Sequence, residues 1–367
     1  MNILYITNHL NIGGITSYVL SLATGLKKRG HNVYVASSGG QLLPRFTAAG
    51  IGYIPIPIKT KKELSPKILA SMFKLLAASR QQHIDIMHAN SRTTQVLGCL
   101  LSRKNGIPYV STCHGFFKRR FLRLLFPCWG KKVIAISASV REHLLNDFAV
   151  PQENIKIVHN GVDMERFARR TPQAIRDTKE KIGLGQGPVV GIVARLSDVK
   201  GHVYLIQAMK DVLKKVPQAQ LLMVGEGKEK GRLTELIRRL DMQQNVFLIN
   251  SAIDTAEVLS VMDIFVLPSL QEGLGLSLME AMAMGLGVIG SDVGGIRSLI
   301  QDGESGLLVK PKDALGLSAA ILELLQNSDK TKVLGEQARF FIRQNFPLDK
   351  MVLDTERFYL ECLSVKH

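Results

Sequence analysis

Cysteine is scarce in this chain: four in 367 residues, none in a C-x-x-C pair and none beside a histidine cluster. That argues against a disulfide framework and against a structural zinc site, and it fits a reducing compartment. No apolar run reaches about 18 residues, so no membrane-spanning helix is expected. The opening residues, Met1 to Asn8, lack a basic flank, and their apolar run is short and breaks at Asn8-His9. They read as a first buried strand, not as a secretory signal. Tryptophan occurs once, at Trp129, and the sequence holds no low-complexity tract. No D-x-D occurs anywhere, so the carboxylate pair that would hold a divalent cation on a diphosphate is missing, and no metal is expected. Acidic residues are few in one half. Residues 1–170 hold 24 Lys and Arg against 7 Asp and Glu, while the remainder holds 23 against 24. The first half therefore suits an extended anionic partner, a membrane surface or a nucleic acid.

What is present is ordinary globular composition, 46% hydrophobic and 21% charged. The length suits two domains. Short apolar runs at 3–7, 32–37, 52–55, 84–88, 109–113, 132–136 and 155–158 alternate with helical patterns at 17–28, 41–49, 67–82, 93–103 and 139–148. Strands alternating with helices at this spacing predict βαβ units and a parallel sheet covered on both faces. A polar, Gly- and Pro-containing stretch at 171–187 reads as a linker. The pattern then restarts, with strands at 189–193, 220–224, 245–248, 264–267 and 287–291 and helices at 203–215, 228–240, 255–262, 276–284 and 314–326. The expected division is a basic first domain at 1–170, the linker, a second domain at 188–347, and a C-terminal helix at 348–367 that returns to the first domain. Ligands of such open sheets bind beyond the carboxyl ends of the strands.

Residues 268–285 leave a strand, cross a Gly-rich turn and enter a helix. Free backbone N–H groups at such a helix start favour phosphate. Glu272 lies in the turn, and Glu280 stands one helical turn after Leu276, about 6 Å along the axis. Carboxylates beside a phosphate site accept hydrogen bonds from hydroxyls, which makes a sugar and a ribose natural partners. Taken alone, two such glutamates are more often solvated helix carboxylates.

Residues 272–280 match an E-x7-E motif, and with their surroundings the chain resembles glycosyltransferase family 4 over nearly its whole length. The resemblance implies an α/β GT-B architecture, two Rossmann-like domains facing a central cleft. It implies a retaining hexosyl transfer from a nucleoside diphosphate sugar, UDP favoured, with no cofactor. By the same resemblance Glu272 contacts the donor sugar and Glu280 the ribose hydroxyls, and the backbone of Gly273, Leu274, Gly275 and Leu276 lies against sugar and diphosphate. Arg195 and Lys200, in a loop ending at Gly201, match the family's Arg…Lys-Gly loop; an Arg fork and a Lys point charge suit phosphate oxygens. With the helix start, these cations could neutralise the departing diphosphate without metal.

Gly14, in Asn11-Ile12-Gly13-Gly14, is similar to the family's Gly-Gly loop near donor phosphates or acceptor. His114, in Thr112-Cys113-His114-Gly115, matches a histidine that contacts the donor sugar, though a core-edge histidine bonded to backbone is the plain alternative. His88 is a weaker candidate. The resemblance implies that Glu226, in Gly225-Glu226-Gly227, lies near the nucleotide; the glycine spacing there does not fit a dinucleotide fingerprint.

Residues 116–132 set six cations among five large aromatics. That is the composition of an interfacial segment. Phe117, Lys118, Arg119, Arg120, Phe121 and Arg123 are expected to meet an anionic membrane, with Lys59, Lys61, Lys62, Lys67 and Lys74 extending the surface. A partly buried helix with a solvated basic face is the alternative. The resulting expectation is a cytoplasmic enzyme, peripheral on the inner face of the membrane. Its acceptor would be lipid-linked or of lipopolysaccharide type, in cell-surface glycan synthesis, and no nucleic acid is expected. Two rival readings are a GT-B nucleotide-sugar 2-epimerase, for which residues 1–170 offer few acid–base carboxylates, and a non-catalytic nucleic-acid-binding protein.

Overall fold

The computed structural model describes residues 1–60, 62–63, 65–251 and 254–364. Lys61, assigned above to the basic surface, lies outside them. The chain divides into two compact units, Met1–Gly161 with Leu348–His367, and Val162–Pro347. Each is built on one parallel sheet.

In the first unit the strands are β1 (Asn2–Ile6), β2 (Asn32–Ser37), β3 (Gly52–Pro55), β4 (Ile86–Ala89), β5 (Tyr109–Cys113), β6 (Val133–Ala135) and β7 (Ile155–Ile157), in the order β3-β2-β1-β4-β5-β6-β7. All neighbours pair in parallel. β1, Asn-Ile-Leu-Tyr-Ile, is apolar at almost every position because helices cover both faces of the sheet. Ile3 and Tyr5 join one core cluster, Leu4 and Ile6 the other.

The C-terminal helix Leu348–Ser364 completes the first of these clusters. Its Met351, Val352, Phe358 and Tyr359 pack with Tyr18, Leu22 and Leu26 of the helix Gly14–Lys28. The two helices approach so closely at Gly25 that a Cβ there would sit 2.3 Å from Val352 Cγ2. Glu356 fixes the helix's polar side, with its carboxylate 2.7 Å from Arg29 Nη2 and 2.6 Å from His31 Nε2. The expected return of this helix to the first domain is what the structure shows.

The second unit carries β8 (Val189–Val193), β9 (Gln220–Val224), β10 (Val246–Ile249), β11 (Ile264–Leu267), β12 (Gly287–Ser291) and β13 (Leu307–Val309), ordered β10-β9-β8-β11-β12-β13 and parallel throughout. β13 and the helix Ser328–Asn345 were not foreseen.

The expected linker is a correction. Residues Pro172–Ile182 form a helix, capped by the Thr171 hydroxyl and closed by Gly183 at φ 85°. Residues Val162–Pro347 make up the second unit, so this helix belongs to it. Only Thr178 of this helix is buried, and apart from Ala174, Ile175 and Ile182 beside it the helix is polar, so the stretch read as a linker. On the observed division the first unit holds 24 Lys and Arg against 9 Asp and Glu, and the second 23 against 22. The charge asymmetry therefore belongs to the units themselves.

Candidate active site

In each sheet the strand order reverses once, between β1 and β4 and between β8 and β11. Loops leaving adjacent strands at such a point run in opposite directions and open a crevice at the carboxyl edge. In the second unit the loop after β8 carries Arg195 and Lys200, and the loop after β11 carries Glu272. Sheet topology alone brings these distant segments together.

The two loops are joined by backbone, Leu270 N–H donating to Val199 O at 2.8 Å. Gly201 sits at φ 72°, and a Cβ on it would lie 1.8 Å from the Pro268 carbonyl, so only glycine allows this approach. Lys200 Nζ then donates to Glu272 Oε2 at 2.5 Å, and Ser269 Oγ donates to the same oxygen at 3.3 Å. Arg195 is exposed and has no acidic partner among the described residues.

Beyond Glu272 the turn Gly273-Leu274-Gly275 is buried. Gly275, at φ 95°, starts the helix Leu276–Met284 with no side-chain cap. With no side-chain cap among the described residues, its first-turn N–H groups suit an anion. One turn on, Glu280 is buried, 6% exposed. Burial pushes its pKa up to about 7, against the opposing pull of Arg166 and a hydrogen bond with Thr255. Glu226 is exposed at the end of β9, its carbonyl accepting from Leu196 N–H at 2.9 Å. The expected donor residues Arg195, Lys200, Glu226, Glu272, Gly273 to Leu276 and Glu280 thus all lie on loops or a helix at one edge of this sheet.

Sequence reasoning missed His202 beside them. It begins the helix His202–Lys215, is 2% exposed, and neither ring nitrogen has a hydrogen-bond partner among the described residues. Burial, helped by Lys200, lowers its pKa to about 4. Its place next to Lys200-Gly201 was the available signal.

In the first unit Gly13 and Gly14 face open space, where an added Cβ would meet nothing within 4 Å. Packing does not require glycine there. His114 follows β5, half-buried, with Nε2 3.1 Å from Asn90 Oδ1 and its ring edge-on to Tyr18 at 4.7 Å. Burial holds its pKa near 3, so it is neutral at pH 7.

His88 has a different place. It is fully buried in a hydrogen-bond chain running Tyr5–Tyr359–His88–Thr112–Tyr18, with links of 2.9, 2.5, 2.7 and 3.3 Å. His88 is structural, and it ties the C-terminal helix to β4 and β5. Tyr5, Tyr18 and Tyr359 were not foreseen because the chain exists only once the C-terminal helix has docked.

The basic-aromatic segment is only partly as expected. Lys118, Arg119, Arg120 and Phe121 are exposed, Phe121 at 76%, and so are Leu122, Leu124, Leu125 and Phe126. Arg123 is a correction. It is 7% exposed, with its guanidinium 4.1 Å from the Phe117 ring centroid and close to Trp129 and Phe148. Neither Arg123 nor the half-buried Phe117 is an outward contact. A guanidinium is weakly hydrated and stacks on aromatic faces, so the local aromatic cluster draws it inward. Arg92 secures the segment by donating to the Phe126 and Pro127 carbonyls, each at 2.7 Å, while pairing with Glu63 at 2.8 Å. Glu63 lies just before the helix Pro66–Gln81, which exposes Leu69 and Phe73 one turn apart. Among the described residues no helix is long and apolar enough to cross a membrane.

The chain is similar to known proteins over most of its length. A family model described as Glycosyltransferase Family 4 matches residues 12–166, and one described as Glycosyl transferases group 1 matches residues 174–340. The N-acetyl-alpha-D-glucosaminyl L-malate synthase of Bacillus anthracis is 26% identical, over 98% of this chain and 96% of its own length. The Escherichia coli UDP-Gal:alpha-D-GlcNAc-diphosphoundecaprenol alpha-1,3-galactosyltransferase is 28% identical, over 80% of this chain and 79% of its own. A protein from Anabaena, solved in complex with UDP-glucose, superposes with a TM-score of 0.87 at 21% identity, covering 98% of this chain and 100% of that one. The two family models follow one another along nearly the whole chain, one largely on each unit, and this protein belongs to the family 4 glycosyltransferases, enzymes of the GT-B fold.

Proposed function

We propose that the enzyme transfers a sugar from a nucleoside diphosphate, UDP first among them, to a lipid-linked or lipopolysaccharide-type acceptor at an anionic membrane surface. Transfer proceeds with retention at the anomeric carbon and without metal. One observation carries the donor half of this reading. At the carboxyl edge of the second sheet, phosphate-binding groups (Arg195, Lys200 and an uncapped helix start) stand beside the hydroxyl-accepting carboxylates Glu272 and Glu280. The Lys and Arg charges and the helix N–H groups then stabilise the departing diphosphate, so catalysis rests on positioning and fixed electrostatics. Glu272 and His114 contact the sugar, and Glu280 contacts the ribose. UDP is favoured because the Escherichia coli relative is named for UDP-Gal and the Anabaena protein was solved with UDP-glucose.

The acceptor half rests on the first unit. Its excess of cations and the exposed set Lys118, Arg119, Arg120, Phe121, Leu124, Leu125 and Phe126 suit an anionic leaflet. Lys59, Lys62, Lys67 and Lys74 are exposed as well. The Escherichia coli relative, by its name, acts on a diphosphoundecaprenol-linked sugar.

A hydrolysis screen over UDP-, GDP- and ADP-sugars, run with and without chelator, tests the donor and the metal together. Turnover of a UDP-sugar that survives chelation is expected. Activity lost to chelator and restored by Mg²⁺ or Mn²⁺ defeats the metal-free reading. The anomeric configuration of the product, read by NMR, tests retention.

A further inference from the structure

Asn90 and His114 support a second step, which rests on the sugar-contact role proposed for His114. Asn90 follows β4 and is 1% exposed. Its side-chain Nδ2 donates to the His88 carbonyl at 3.4 Å, and its backbone N–H donates to Thr94 Oγ1 at 3.2 Å. With the amide nitrogen engaged there, Oδ1 is the atom that faces His114 Nε2 at 3.1 Å. A carboxamide oxygen only accepts hydrogen bonds. Nε2 must therefore carry a proton.

Burial keeps the imidazole neutral at pH 7, so the ring has one proton and it is on Nε2. Nδ1 is left with a lone pair. Among the described residues it has no hydrogen-bond partner, and it is not one of the sealed, unsatisfied atoms of the interior. The ring plane is fixed by Tyr18, edge-on at 76°. Tyr18 is held in turn through Thr112, which is bonded to His88.

We propose that Asn90 is a positioning residue that locks His114 in its Nε2–H tautomer, so that His114 serves the donor sugar as a hydrogen-bond acceptor through Nδ1 and not as a proton donor. The sugar must then offer a hydroxyl or an amide N–H at that point. A uronic acid carboxylate there would meet a lone pair and be disfavoured, so the inference points to a neutral sugar.

The test is a nitrogen–proton correlation spectrum of the full chain with ¹⁵N-labelled histidine at pH 7, with His114 assigned by its loss in His114→Gln. A protonated Nε2 and a bare Nδ1 are expected; the opposite tautomer, or an imidazolium, overturns the proposal. In Asn90→Ala the His114 signals should shift toward a tautomer mixture, and kcat should fall by about tenfold, the worth of one hydrogen bond. Asn90→Asp keeps an acceptor opposite Nε2 but adds a charge that favours the imidazolium. The other titratable groups around His114 are Tyr18 and His88, both uncharged at pH 7. Asn90→Asp should therefore add an acidic limb to the kcat/KM profile and raise the ring's titration point in the spectrum. An unchanged tautomer in Asn90→Ala, or an unchanged titration in Asn90→Asp, also overturns it. The spectra need no substrate, so a failed donor screen and a wrong tautomer are told apart.

Discussion

Lys200 Nζ lies 2.5 Å from Glu272 Oε2, joining two residues 72 positions apart in the chain. The pair is mostly shielded, with side-chain exposures of 21% and 12%. The ammonium proposed for the diphosphate is therefore already held by the carboxylate proposed for the sugar, and a phosphate oxygen must compete for it. Glu272→Gln should release Lys200, leaving UDP affinity intact or tighter while turnover falls. Lys200→Ala should remove a charge-assisted contact of roughly 1.5–3 kcal/mol, cutting kcat/KM on the order of ten- to a hundredfold. Calorimetry with UDP and steady-state rates on both variants decide the matter; collapse of UDP affinity in Glu272→Gln would reverse the assignment.

Arg195 differs, being exposed and without an acidic partner among the described residues. Its replacement by Ala should leave thermal unfolding within about 0.5 kcal/mol of wild type. Turnover should still drop, and more than donor affinity, because leaving-group charge grows in the transition state. Wild-type turnover in this variant removes Arg195 from the site.

Glu280 makes two pH predictions. Its folded pKa, about 7, lies above the unfolded value of 4.5, so the folded state holds this proton more tightly. That contribution to stability is complete below pH 4.5 and is lost as pH rises through 7, in all roughly 3–4 kcal/mol at about 1.4 kcal/mol per unit. The stability difference between wild type and Glu280→Gln should follow that window when unfolding is measured from pH 4 to 8. Ribose hydroxyls bind the ionised form, so affinity for a nucleotide sugar should rise with pH up to about 7 and then level off. A flat affinity profile would show that Glu280 does not meet the ribose.

The cations of the exposed segment should separate by burial. Charge reversal at Lys118, Arg119 and Arg120 should release the protein from anionic vesicles while donor hydrolysis and unfolding temperature hold. Arg123→Ala should instead lower stability, by about 1–2 kcal/mol, because it removes a guanidinium packed over Phe117. Co-sedimentation at low and high salt, with a thermal melt of each variant, reads both effects. Equal binding to neutral and anionic vesicles counts against the membrane reading.

Parallel strands buried on both faces announce themselves as continuous apolar runs, so β2, β5, β8, β9, β11 and β12 were legible at their full length, as was the half-buried edge strand β3. The turn-to-helix step before Leu276 was legible for the same kind of local reason: the glycines and the helix start lie within one short stretch. The helix Pro172–Ile182 was missed although Thr171, Pro172 and Gly183 are good boundary residues, because its inward face, Ala174, Ile175, Thr178 and Ile182, is narrow and the rest of the segment is polar. The helix Ser328–Asn345 escaped differently. Its buried face includes Gly335 and Ala338, small residues chosen for close approach; a Cβ on Gly335 would lie 2.3 Å from the Gly285 carbonyl.

The sequence by itself determined the βαβ class, the phosphate-suited helix start at Leu276 and the basic character of the first half; the choice of Arg195, Lys200, Glu272 and Glu280 came from the resemblance to family 4. These depend on residue type and short spacing, which a linear chain displays. Tertiary structure alone decided which of these groups touch and which face water. The strand reversal at β8 and β11 put Lys200 against Glu272, docking of the last helix set Tyr359 on His88, and the Phe117–Trp129–Phe148 cluster drew Arg123 inward. Burial and pairing are properties of neighbours in space, and no spacing along the chain encodes a neighbour 72 or 271 residues away.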